Sequence, residues 1–456
     1  MKSDNPHILL VNPLIHDFAA YDFWAKPIGL LYLASILKSH GYSVSYIDCL
    51  DRFHKKMPET NPFKRYGRGP YLKTKIPKPS QLSDIPRNYS RYGIMPQWLE
   101  EDLYSIQKPD MILITSLMTY WYPGVQETIK IIKTVFPDVP VVLGGIYASL
   151  CKKHALLYSG ADQVITGQGE KIILDLAKDV TGSGHLNRST STSFDPEDIN
   201  TYPYPAFDMQ PIINYIPLMT SKGCPFSCDY CASDFLNPRH IFRSPKNVVE
   251  EIVYWNKIHH VKDFVFYDDA LLVNAKQHAI PIFEAILRMQ ANIRFHTPNA
   301  IHIREITTQT ANLMFKAGLK TLRLGLEVAN FESRRDMDSK VTQKEFKRAV
   351  ICLKNAGFSR DQIGAYLLAG LPGQSITSIQ ASIKTVIENG ITPVIAYYSP
   401  ILQTRLWDKA KKSSRFDLES DPIFTNNAIL PCQKEPFSWK IISDLKNYPC
   451  TRPEKG

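Results

Sequence analysis

Three cysteines stand close together in the middle of the chain. Cys224, Cys228 and Cys231 lie in the stretch SKGCPFSCDYCASDF, with Tyr230 just before the last of them. Cysteine thiolates bind zinc or hold iron–sulfur clusters. A structural zinc site uses four ligands, and no second knuckle follows at ligand spacing, whereas a cubane held by three cysteines leaves one iron with an open position. The spacing therefore favours a reactive iron–sulfur centre, and a zinc knuckle completed by a distant residue such as His240 is the alternative.

Length and composition limit the classes of protein to consider. The 456 residues suffice for two or three domains, and 44% hydrophobic with 21% charged residues is typical of a globular protein. The net charge of +10 is spread along the chain, which fits a solvated surface better than a nucleic-acid interface. No apolar run reaches the roughly 20 residues of a membrane span, and the start of the chain does not resemble a signal peptide. We expect a cytoplasmic protein without a membrane partner, whose clustered cysteines are ligands or redox groups.

The first part of the chain alternates between strand and helix patterns. Over residues 1–180, short apolar runs such as HILLVNP, DMILITSL and PVVLGG alternate with amphipathic stretches such as IGLLYLASILKSHGY. This pattern predicts a doubly wound, Rossmann-like α/β domain whose ligand lies beyond the carboxyl ends of its strands. Residues 51–100 show no sustained period and predict a long insertion. Residues 181–210 are polar and contain proline, so we expect a linker there.

A second, more regular alternation occupies residues 211–412. Six strand patterns separated by helices predict a partial (β/α)6 barrel of the TIM type, with its chemistry at the carboxyl ends of the strands. The first of these strands ends just before Cys224. Asp268 and Asp269 close the second strand and Asn299 follows the third, so these polar side chains line the site or cap loops. We expect His296 and His302 to be core residues, and residues 413–456 to form a carboxyl-terminal extension.

These motifs resemble the radical S-adenosylmethionine superfamily. Besides the cysteine spacing and Tyr230, the stretches GLEVAN, GLPGQ and YSPILQT match family motifs at the ends of the fourth, fifth and sixth strands. Gln374 replaces the usual acid of the second motif, and the third departs further. The resemblance implies that the three cysteines hold a [4Fe–4S] cluster and that the remaining motif residues bind S-adenosylmethionine, namely Tyr230, Gly325, Glu327, Gly370 and Gly373. Asn299 is a further candidate for this cofactor because it lies at the carboxyl end of a strand.

The resemblance also implies a mechanism. The open iron chelates S-adenosylmethionine, and an electron from a reductant such as flavodoxin or ferredoxin leads to a 5′-deoxyadenosyl radical that removes a hydrogen atom from the substrate. The protein supplies orientation and excludes water. The substrate class stays open between a small molecule and a peptide, a nucleic-acid partner is not expected, and no side chain is assigned a catalytic role.

The amino-terminal half resembles the cobalamin-binding domain of the B12-dependent branch of this superfamily. The matching stretches are KPIGLLYLASILKSHGY, TSLMT, LGGIYAS and GADQVITGQGE. Glycines after strands allow a flat ligand to approach the backbone. The resemblance implies cobalamin contacts from these stretches, at Ser116, Leu117, Gly144, Gly145, Gly167 and Gly169. Corrinoid-binding domains that coordinate cobalt through a histidine carry the motif Asp-x-His-x-x-Gly, which is not present here. The resemblance therefore implies cobalamin bound without a protein histidine ligand. Residues 120–122 (Tyr-Trp-Tyr) either face the cobalt or belong to the core.

The leading interpretation is a cobalamin-dependent radical S-adenosylmethionine enzyme that transfers a methyl group to an unactivated carbon. A cyclase or oxidoreductase of the same branch and a tRNA methylthiotransferase are enzymatic alternatives, although the latter normally carries more amino-terminal cysteines. An iron–sulfur electron carrier or a cobalamin-binding sensor is the non-enzymatic alternative, and the motifs at Glu327 and Gly370 argue against it. Cys432 is expected to be an ordinary buried thiol.

Overall fold

The computed structural model describes residues 5–182, 194–331, 340–433 and 444–445. Residues 183–193 of the predicted linker lie outside these ranges, as do residues 434–443 and 446–456 of the carboxyl-terminal extension, which include Cys450. The chain divides into two units, Met1–Pro217 with Asp421–Ile423, and Leu218–Ser420 with Phe424–Gly456. No helix among the described residues is both long enough and apolar enough to cross a membrane.

The first unit contains a five-stranded parallel sheet, as the alternating pattern predicts. Its elements, with those of the insertion, are strands β1 His7–Asn12, β2 Ile15–Asp17, β3 Ser43–Asp48, β4 Lys73–Lys75, β5 Ser90–Tyr92, β6 Met111–Ile114, β7 Val141–Leu143 and β8 Gln163–Val164, and helices α1 Ile28–Ser39, α2 Pro96–Ser105, α3 Tyr122–Val135, α4 Ile146–Leu150, α5 Lys152–Tyr158 and α6 Ile173–Thr181. The sheet order is β3-β1-β6-β7-β8. The order reverses between β1 and β6, which is where open α/β sheets bind ligands.

The insertion at residues 51–100 has structure of its own. Strand β5 pairs with both β2 and β4 in a small antiparallel sheet of order β2-β5-β4, and α2 follows. Strand β2 lies before the insertion in sequence, so a pairing across more than 70 residues organises the segment. A local periodicity search cannot detect strands of three residues held by such long-range pairing.

The second half of the predicted linker packs on the first unit. The Ser35 hydroxyl of α1 donates a hydrogen bond to the Tyr204 carbonyl at 2.6 Å, and the Ala206 amide donates to the Leu31 carbonyl at 3.1 Å. Residues 194–210 therefore pack on α1 through a few contacts, which their polar composition does not indicate.

The second unit, with the last two residues of the segment Met1–Pro217, contains the six predicted parallel strands in sequential order. Its elements are strands β9 Ile216–Leu218, β10 Ser221–Lys222, β11 Ile241–Phe242, β12 Asp263–Phe266, β13 Arg294–His296, β14 Leu319–Glu327, β15 Ile363–Ala369 and β16 Thr392–Tyr397, and helices α7 Ser233–Leu236, α8 Pro245–His259, α9 Ala279–Met289, α10 Thr308–Lys316, α11 Gln343–Asn355, α12 Ile376–Glu388 and α13 Trp407–Ser413. The large sheet runs β9-β12-β13-β14-β15-β16, and β10 pairs with β11 in a separate hairpin. Such an arrangement places all six carboxyl ends at one edge.

Helix starts in this unit follow the sequence signals. Ser244 caps α8 by accepting a hydrogen bond from the Asn247 amide, and Pro245 occupies the first helical position. Thr342 and Glu345 form a capping box at the start of α11. These caps fix where the loops after β11 and β14 end, and so which residues remain at the carboxyl edge of the sheet.

Candidate functional site

The three clustered cysteines line a single cavity of about 310 Å³ at the carboxyl edge of the barrel. The cavity walls come from the cysteine loop and from the ends of β12, β13, β14 and β15. The other lining residues are Phe226, Ser233, Asp269, Pro298, Asn299, Ala300, His302, Gly325, Lys340 and Tyr366. The barrel therefore brings the predicted ligands together with Asn299 and Gly325, as the positions of the motifs predict.

Gly223 and Asp268 fix the backbone at the start of the cysteine loop. Gly223 has a φ of +83°, and a Cβ atom there would lie 2.4 Å from the Arg239 carbonyl oxygen, so only glycine fits. The hydroxyls of Thr220 and Ser221 both donate hydrogen bonds to Asp268 Oδ1 at 2.6 Å. The buried Asp268 carboxyl thus fixes the two residues that lead into Gly223 and Cys224.

Burial shifts the pKa of two of the thiols, and nearby donors and one cation oppose it. Burial raises the pKa of Cys224, and it raises the pKa of Cys231 to about 11, while backbone amides and then Lys340 oppose both shifts. Lys340 lies 3.4 Å from the Tyr230 hydroxyl and 5.6 Å from that ring's centroid. Thiols with a raised pKa stay protonated at neutral pH until a metal binds and displaces their protons to solvent, and a nearby ammonium favours the thiolates that result.

The donor set fits a cubane. All three thiols face one cavity, although among the described residues no three Cys, His, Asp or Glu side chains are grouped to hold a single metal ion. A cubane does not require the thiols to converge on one ion, because each thiolate binds a different iron.

The two histidines expected in the core have different environments. His296 is fully buried and bonds to Asp263 at 3.1 Å and Thr321 at 3.1 Å, as a core residue does. His302 instead lines the cavity, with its Nε2 atom 3.7 Å from Cys224 Sγ. His302 lines the cavity and not the expected core because the chain after β13 turns back toward the cysteine loop. His240, the sequence-based candidate for a fourth zinc ligand, packs against Phe242 instead.

The other residues implied to bind S-adenosylmethionine divide into two groups. Asn299 lines the cavity and donates its side-chain amide to the Tyr267 carbonyl at 2.7 Å, which fixes it at the end of β12. Gly325 also lines the cavity, at a bulge where β14 pairs with β15. Glu327 lies just beyond that bulge, buried, with a φ of +59°. A non-glycine residue in the left-handed region stores strain, and such residues concentrate at functional sites.

Gly370 and Gly373 shape the turn after β15. Both have positive φ, +94° and +75°, and a Cβ on Gly370 would lie 2.8 Å from Leu430 Cδ2. Gln374 closes the turn: its Oε1 accepts from the Gly370 amide at 2.8 Å, and its Nε2 donates to the Leu368 carbonyl at 2.9 Å. The amide that replaces the usual acid therefore satisfies a donor and an acceptor of the turn at once.

The glycines of the first unit surround an apolar slot of about 170 Å³ beside β6 and β7. Gly144, Gly145, Gly167 and Gly169 all line it, together with apolar side chains of α1, α6 and the strands: Leu30, Leu33, Leu113, Ile114, Val142, Ile165, Ile172, Ile173 and Leu176. A Cβ on Gly144 or Gly167 would meet nothing within 4 Å, so the slot is open at these glycines. A narrow apolar slot with bare backbone walls fits the flat aromatic tail of a nucleotide.

Ser116 and Leu117 take different parts in this wall. Ser116 is buried and donates its hydroxyl to the Gly144 carbonyl at 2.6 Å, which locks the two strand ends together. Leu117 is 43% exposed on the loop after β6. The serine therefore supports the slot, and the leucine offers an apolar surface at the carboxyl edge.

His16 and members of the aromatic triplet at residues 120–122 contact other residues of the first unit. His16 bonds Glu127 at 2.7 Å, and hydrogen bonds from His16 and Arg91 outweigh the effect of burial and lower the pKa of Glu127 to about 2. Trp121 donates its indole N–H to Asp17 at 2.7 Å, and the Tyr120 side chain is buried. These contacts favour the core interpretation of the aromatic triplet.

Sequence reasoning missed Phe226, His302, Lys340 and Tyr366 as cavity residues. Tyr366 lies on β15 and donates its hydroxyl to the Pro298 carbonyl at 2.8 Å, which links β15 to the loop after β13 across the intervening strand β14. An alternating strand pattern that places Tyr366 on the cavity-facing side could have indicated this residue. Lys340 follows a stretch with no periodic pattern, and the sequence holds no signal for its position.

The second unit is thus a partial α/β barrel built around a three-thiol cavity, and comparison with known families identifies its class. Residues 218–386 match the model of the Radical SAM superfamily, and residues 97–177 match the model of the B12 binding domain. The chain belongs to the B12-dependent branch of the radical S-adenosylmethionine superfamily.

Several curated proteins are similar to this chain over much of its length. An uncharacterized methyltransferase of Pyrococcus horikoshii is 24% identical over 325 residues, which is 66% of this chain and 69% of that protein. A cytidylyl-2-hydroxyethylphosphonate methyltransferase of Streptomyces wedmorensis is 22% identical over 464 residues, 88% of this chain and 80% of that protein. An anaerobic magnesium-protoporphyrin IX monomethyl ester cyclase of Rubrivivax gelatinosus is 25% identical over 305 residues, and the match spans 61% of this chain and only 54% of the cyclase.

A solved structure shares the architecture. The radical S-adenosylmethionine methyltransferase TsrM of Kitasatospora setae superposes with a TM-score of 0.65 at 16% sequence identity, covering 90% of this chain and 76% of TsrM. At this identity the likeness establishes the fold, including both the doubly wound and the barrel parts.

Proposed function

We propose that this chain is a cobalamin-dependent radical S-adenosylmethionine enzyme that methylates a carbon atom of a small molecule. The observation that carries the proposal is the shared cavity of Cys224, Cys228, Cys231, Asn299 and Gly325, at the carboxyl edge of the barrel. The apolar slot of the first unit also supports the proposal, because it suits the flat nucleotide tail of cobalamin.

Three groups absent from the chain itself supply the reactive chemistry. When bound, the reduced [4Fe–4S] cluster provides the electron that breaks S-adenosylmethionine into methionine and a 5′-deoxyadenosyl radical, and cobalamin provides the methyl group. The reductant is proposed to be a flavodoxin or a ferredoxin.

The residues of the second unit have separate tasks in this proposal. The three thiolates hold the cluster, with Asp268 fixing the start of their loop through Thr220 and Ser221. Asp269 is oriented by the Ser233 hydroxyl at 2.7 Å and faces the cavity, where it is placed to accept from the amino group of S-adenosylmethionine. Lys340 supplies the positive charge that an anionic carboxylate requires.

Further contacts with S-adenosylmethionine follow from the resemblance. Asn299 and Gly325 border the same cavity, so a polar amide and a bare backbone are both available to the nucleoside. Tyr230 packs beside Lys340, while Glu327, Gly370 and Gly373 shape the ends of β14 and β15. The partly apolar lining of the cavity disfavours water next to a carbon radical.

The cobalamin would be held by the first unit. Gly144, Gly145, Gly167 and Gly169 border the slot for its nucleotide tail, Ser116 locks the slot, and Leu117 offers an apolar contact outside it. His16 is engaged by Glu127, in agreement with a cofactor bound without a histidine ligand from that position.

A cyclase of the same branch is the second candidate, because one of the similar proteins is an anaerobic cyclase. The two reactions differ in how they use S-adenosylmethionine. Methyl transfer consumes one molecule as radical source and a second as methyl donor, and therefore forms S-adenosylhomocysteine together with 5′-deoxyadenosine. Cyclisation driven by hydrogen abstraction forms 5′-deoxyadenosine alone.

The test is to reconstitute the protein without oxygen, with iron, sulfide and cobalamin, and to supply S-adenosylmethionine and a strong reductant. We expect cobalamin to remain bound through gel filtration, and both S-adenosylhomocysteine and 5′-deoxyadenosine to form. Formation of 5′-deoxyadenosine without S-adenosylhomocysteine would favour the cyclase, and failure to form either would reject radical chemistry.

A further inference from the structure

The imidazole of His302 lies beside a proposed cluster ligand, Cys224. Its Nε2 atom lies 3.7 Å from the Sγ atom of Cys224, within reach of a hydrogen bond to sulfur. The residue is largely buried, at 8% exposure, and it lines the three-thiol cavity. An imidazole carries an N–H on at least one ring nitrogen, and a thiolate accepts such a donor.

The position of the ring is fixed by its surroundings. The ring of Phe226, from the cysteine loop itself, lies 4.4 Å from the His302 ring, centroid to centroid. On the backbone side, the Ile301 amide donates to the Arg323 carbonyl at 2.7 Å, and the Glu305 amide donates to the His302 carbonyl at 3.1 Å. The histidine is therefore held between strand β14 and the cysteine loop and keeps its distance from Cys224.

A donor at this place has a defined electrostatic effect. Reduction adds one negative charge to an iron–sulfur cluster, and that charge spreads onto the cysteine sulfurs. The positive end of an N–H dipole close to a sulfur stabilises the reduced state more than the oxidised state, and low local polarity strengthens the effect. Hydrogen bonds to the sulfurs are among the features that set the potentials of such clusters.

We propose that His302 donates an N–H hydrogen bond to Cys224 and thereby raises the reduction potential of the cluster. This inference rests on the proposed function, since it requires the cluster to be present. His302 is then a positioning and tuning residue that acts through Cys224, and Phe226 serves to orient it. A higher potential lets a physiological reductant load the electron more easily, at the expense of driving force toward the sulfonium.

The experiment compares matched variants of the full chain after anaerobic reconstitution. His302→Phe keeps an aromatic ring against Phe226 and removes the N–H donor, whereas His302→Gln keeps an N–H donor. His259→Phe is the control, because His259 also packs on an aromatic ring, that of Trp255 at 4.9 Å, and does not line the cavity. The readouts are iron and sulfide content and the midpoint potential, titrated by electron paramagnetic resonance without S-adenosylmethionine.

We expect equal iron content in all proteins, a lower midpoint potential in His302→Phe, and potentials close to wild type in His302→Gln and His259→Phe. At a solution potential equal to the wild-type midpoint, the reduced fraction of His302→Phe should fall at least threefold. A wild-type potential in His302→Phe with full iron content would overturn the inference. A wild-type protein that assembles no cluster would instead count against the proposed function.

A second measurement covers the case in which His302→Phe fails to fold or to load. Wild-type protein labelled with ¹⁵N-histidine is reduced and its pulsed electron paramagnetic resonance spectrum recorded. We expect a weak ¹⁵N coupling, as transmitted through a hydrogen bond to a ligand sulfur, that is lost in His302→Gln. The absence of any histidine coupling, or a strong one typical of iron ligation, contradicts the inference.

Discussion

Gly145 packs directly against the backbone of Ser116, so that a Cβ atom on the glycine would lie 2.3 Å from the serine carbonyl oxygen. The two residues follow neighbouring strands, β7 and β6, and the Ile146 amide donates to that same carbonyl at 2.8 Å. Gly145 also has a φ of +94°. The segments that follow β6 and β7 are thus held together by a contact that admits only glycine at position 145.

Replacing this glycine should destabilise the first unit. Gly145→Ala adds a backbone clash and left-handed strain, and we expect a loss of about 3 kcal/mol in the free energy of unfolding. Urea unfolding of the apo protein, followed by circular dichroism, measures the change. A variant as stable as wild type would show that the Gly145–Ser116 contact is not rigid.

The neighbouring glycine supplies a control that separates stability from binding. Gly144 lines the slot, and a Cβ there meets no atom within 4 Å. Gly144→Ala should therefore unfold like wild type within about 1 kcal/mol, but its methyl group would occupy space meant for the cofactor tail. We expect cobalamin affinity to drop by at least about tenfold, or ~1.4 kcal/mol, as measured by equilibrium dialysis. Unchanged affinity would place the tail elsewhere.

Asp268 should make stability depend on pH. Burial raises its pKa from 3.8 to about 6, although hydrogen bonds from Ser221 and Thr220 partly oppose this. Because the folded pKa exceeds the unfolded one, the contribution is fully present below pH 4 and is lost as the pH rises through about 6. Asp268→Asn imitates the protonated acid, since both hydroxyls bond to Oδ1 alone. Its stability relative to wild type should rise by about 2 kcal/mol between pH 4 and pH 8.

The measurement for Asp268 is the unfolding free energy of both apo proteins across that pH range. A difference between wild type and Asp268→Asn that stays constant with pH would mean that the carboxyl is solvated. A variant that unfolds at every pH would mean instead that the loop needs a charged anchor.

Gln374 should not tolerate the acid that is usual at its position. In Gln374→Glu, a carboxylate oxygen would face the Leu368 carbonyl in place of the present N–H donor at 2.9 Å. Two acceptors in contact cost about 1–2 kcal/mol, and the loss should shrink at low pH as the new acid becomes protonated. Thermal unfolding at pH 5 and pH 8 tests this, with Gln374→Met as the variant that lacks the donor without pH dependence. Equal stability of Gln374→Glu and wild type at pH 8 contradicts the assigned contact.

The barrel could be read from the sequence because its signals are local. Each of the six strands is a short apolar run bounded by turn residues, and Ser244 and Thr342 mark helix starts by side chains that cap the adjacent backbone. The cysteine spacing likewise lies within one loop. Such local patterns suffice to predict the barrel because its parallel strands are arranged in sequence order.

Features that depend on distant pairing could not be read. The small sheet of β2, β4 and β5 pairs Ile15 with Tyr92, and no local pattern indicates that partner. His302 was expected in the core from its apolar neighbours, yet the path of the chain after β13 brings it to Cys224, 78 positions away. The anchoring of Tyr204 by Ser35 in the predicted linker is likewise a contact between remote segments.

The central claim is that Cys224, Cys228 and Cys231 hold a cluster that cleaves S-adenosylmethionine. The most direct test measures iron, acid-labile sulfide and 5′-deoxyadenosine in anaerobically reconstituted wild type and in a variant with all three cysteines changed to Ala, with Cys352→Ala as the matched control on α11. We predict about four irons and four sulfides per chain and formation of 5′-deoxyadenosine in wild type and control, and neither in the triple variant. A colourless wild-type protein that retains one zinc ion and leaves S-adenosylmethionine intact would contradict the account.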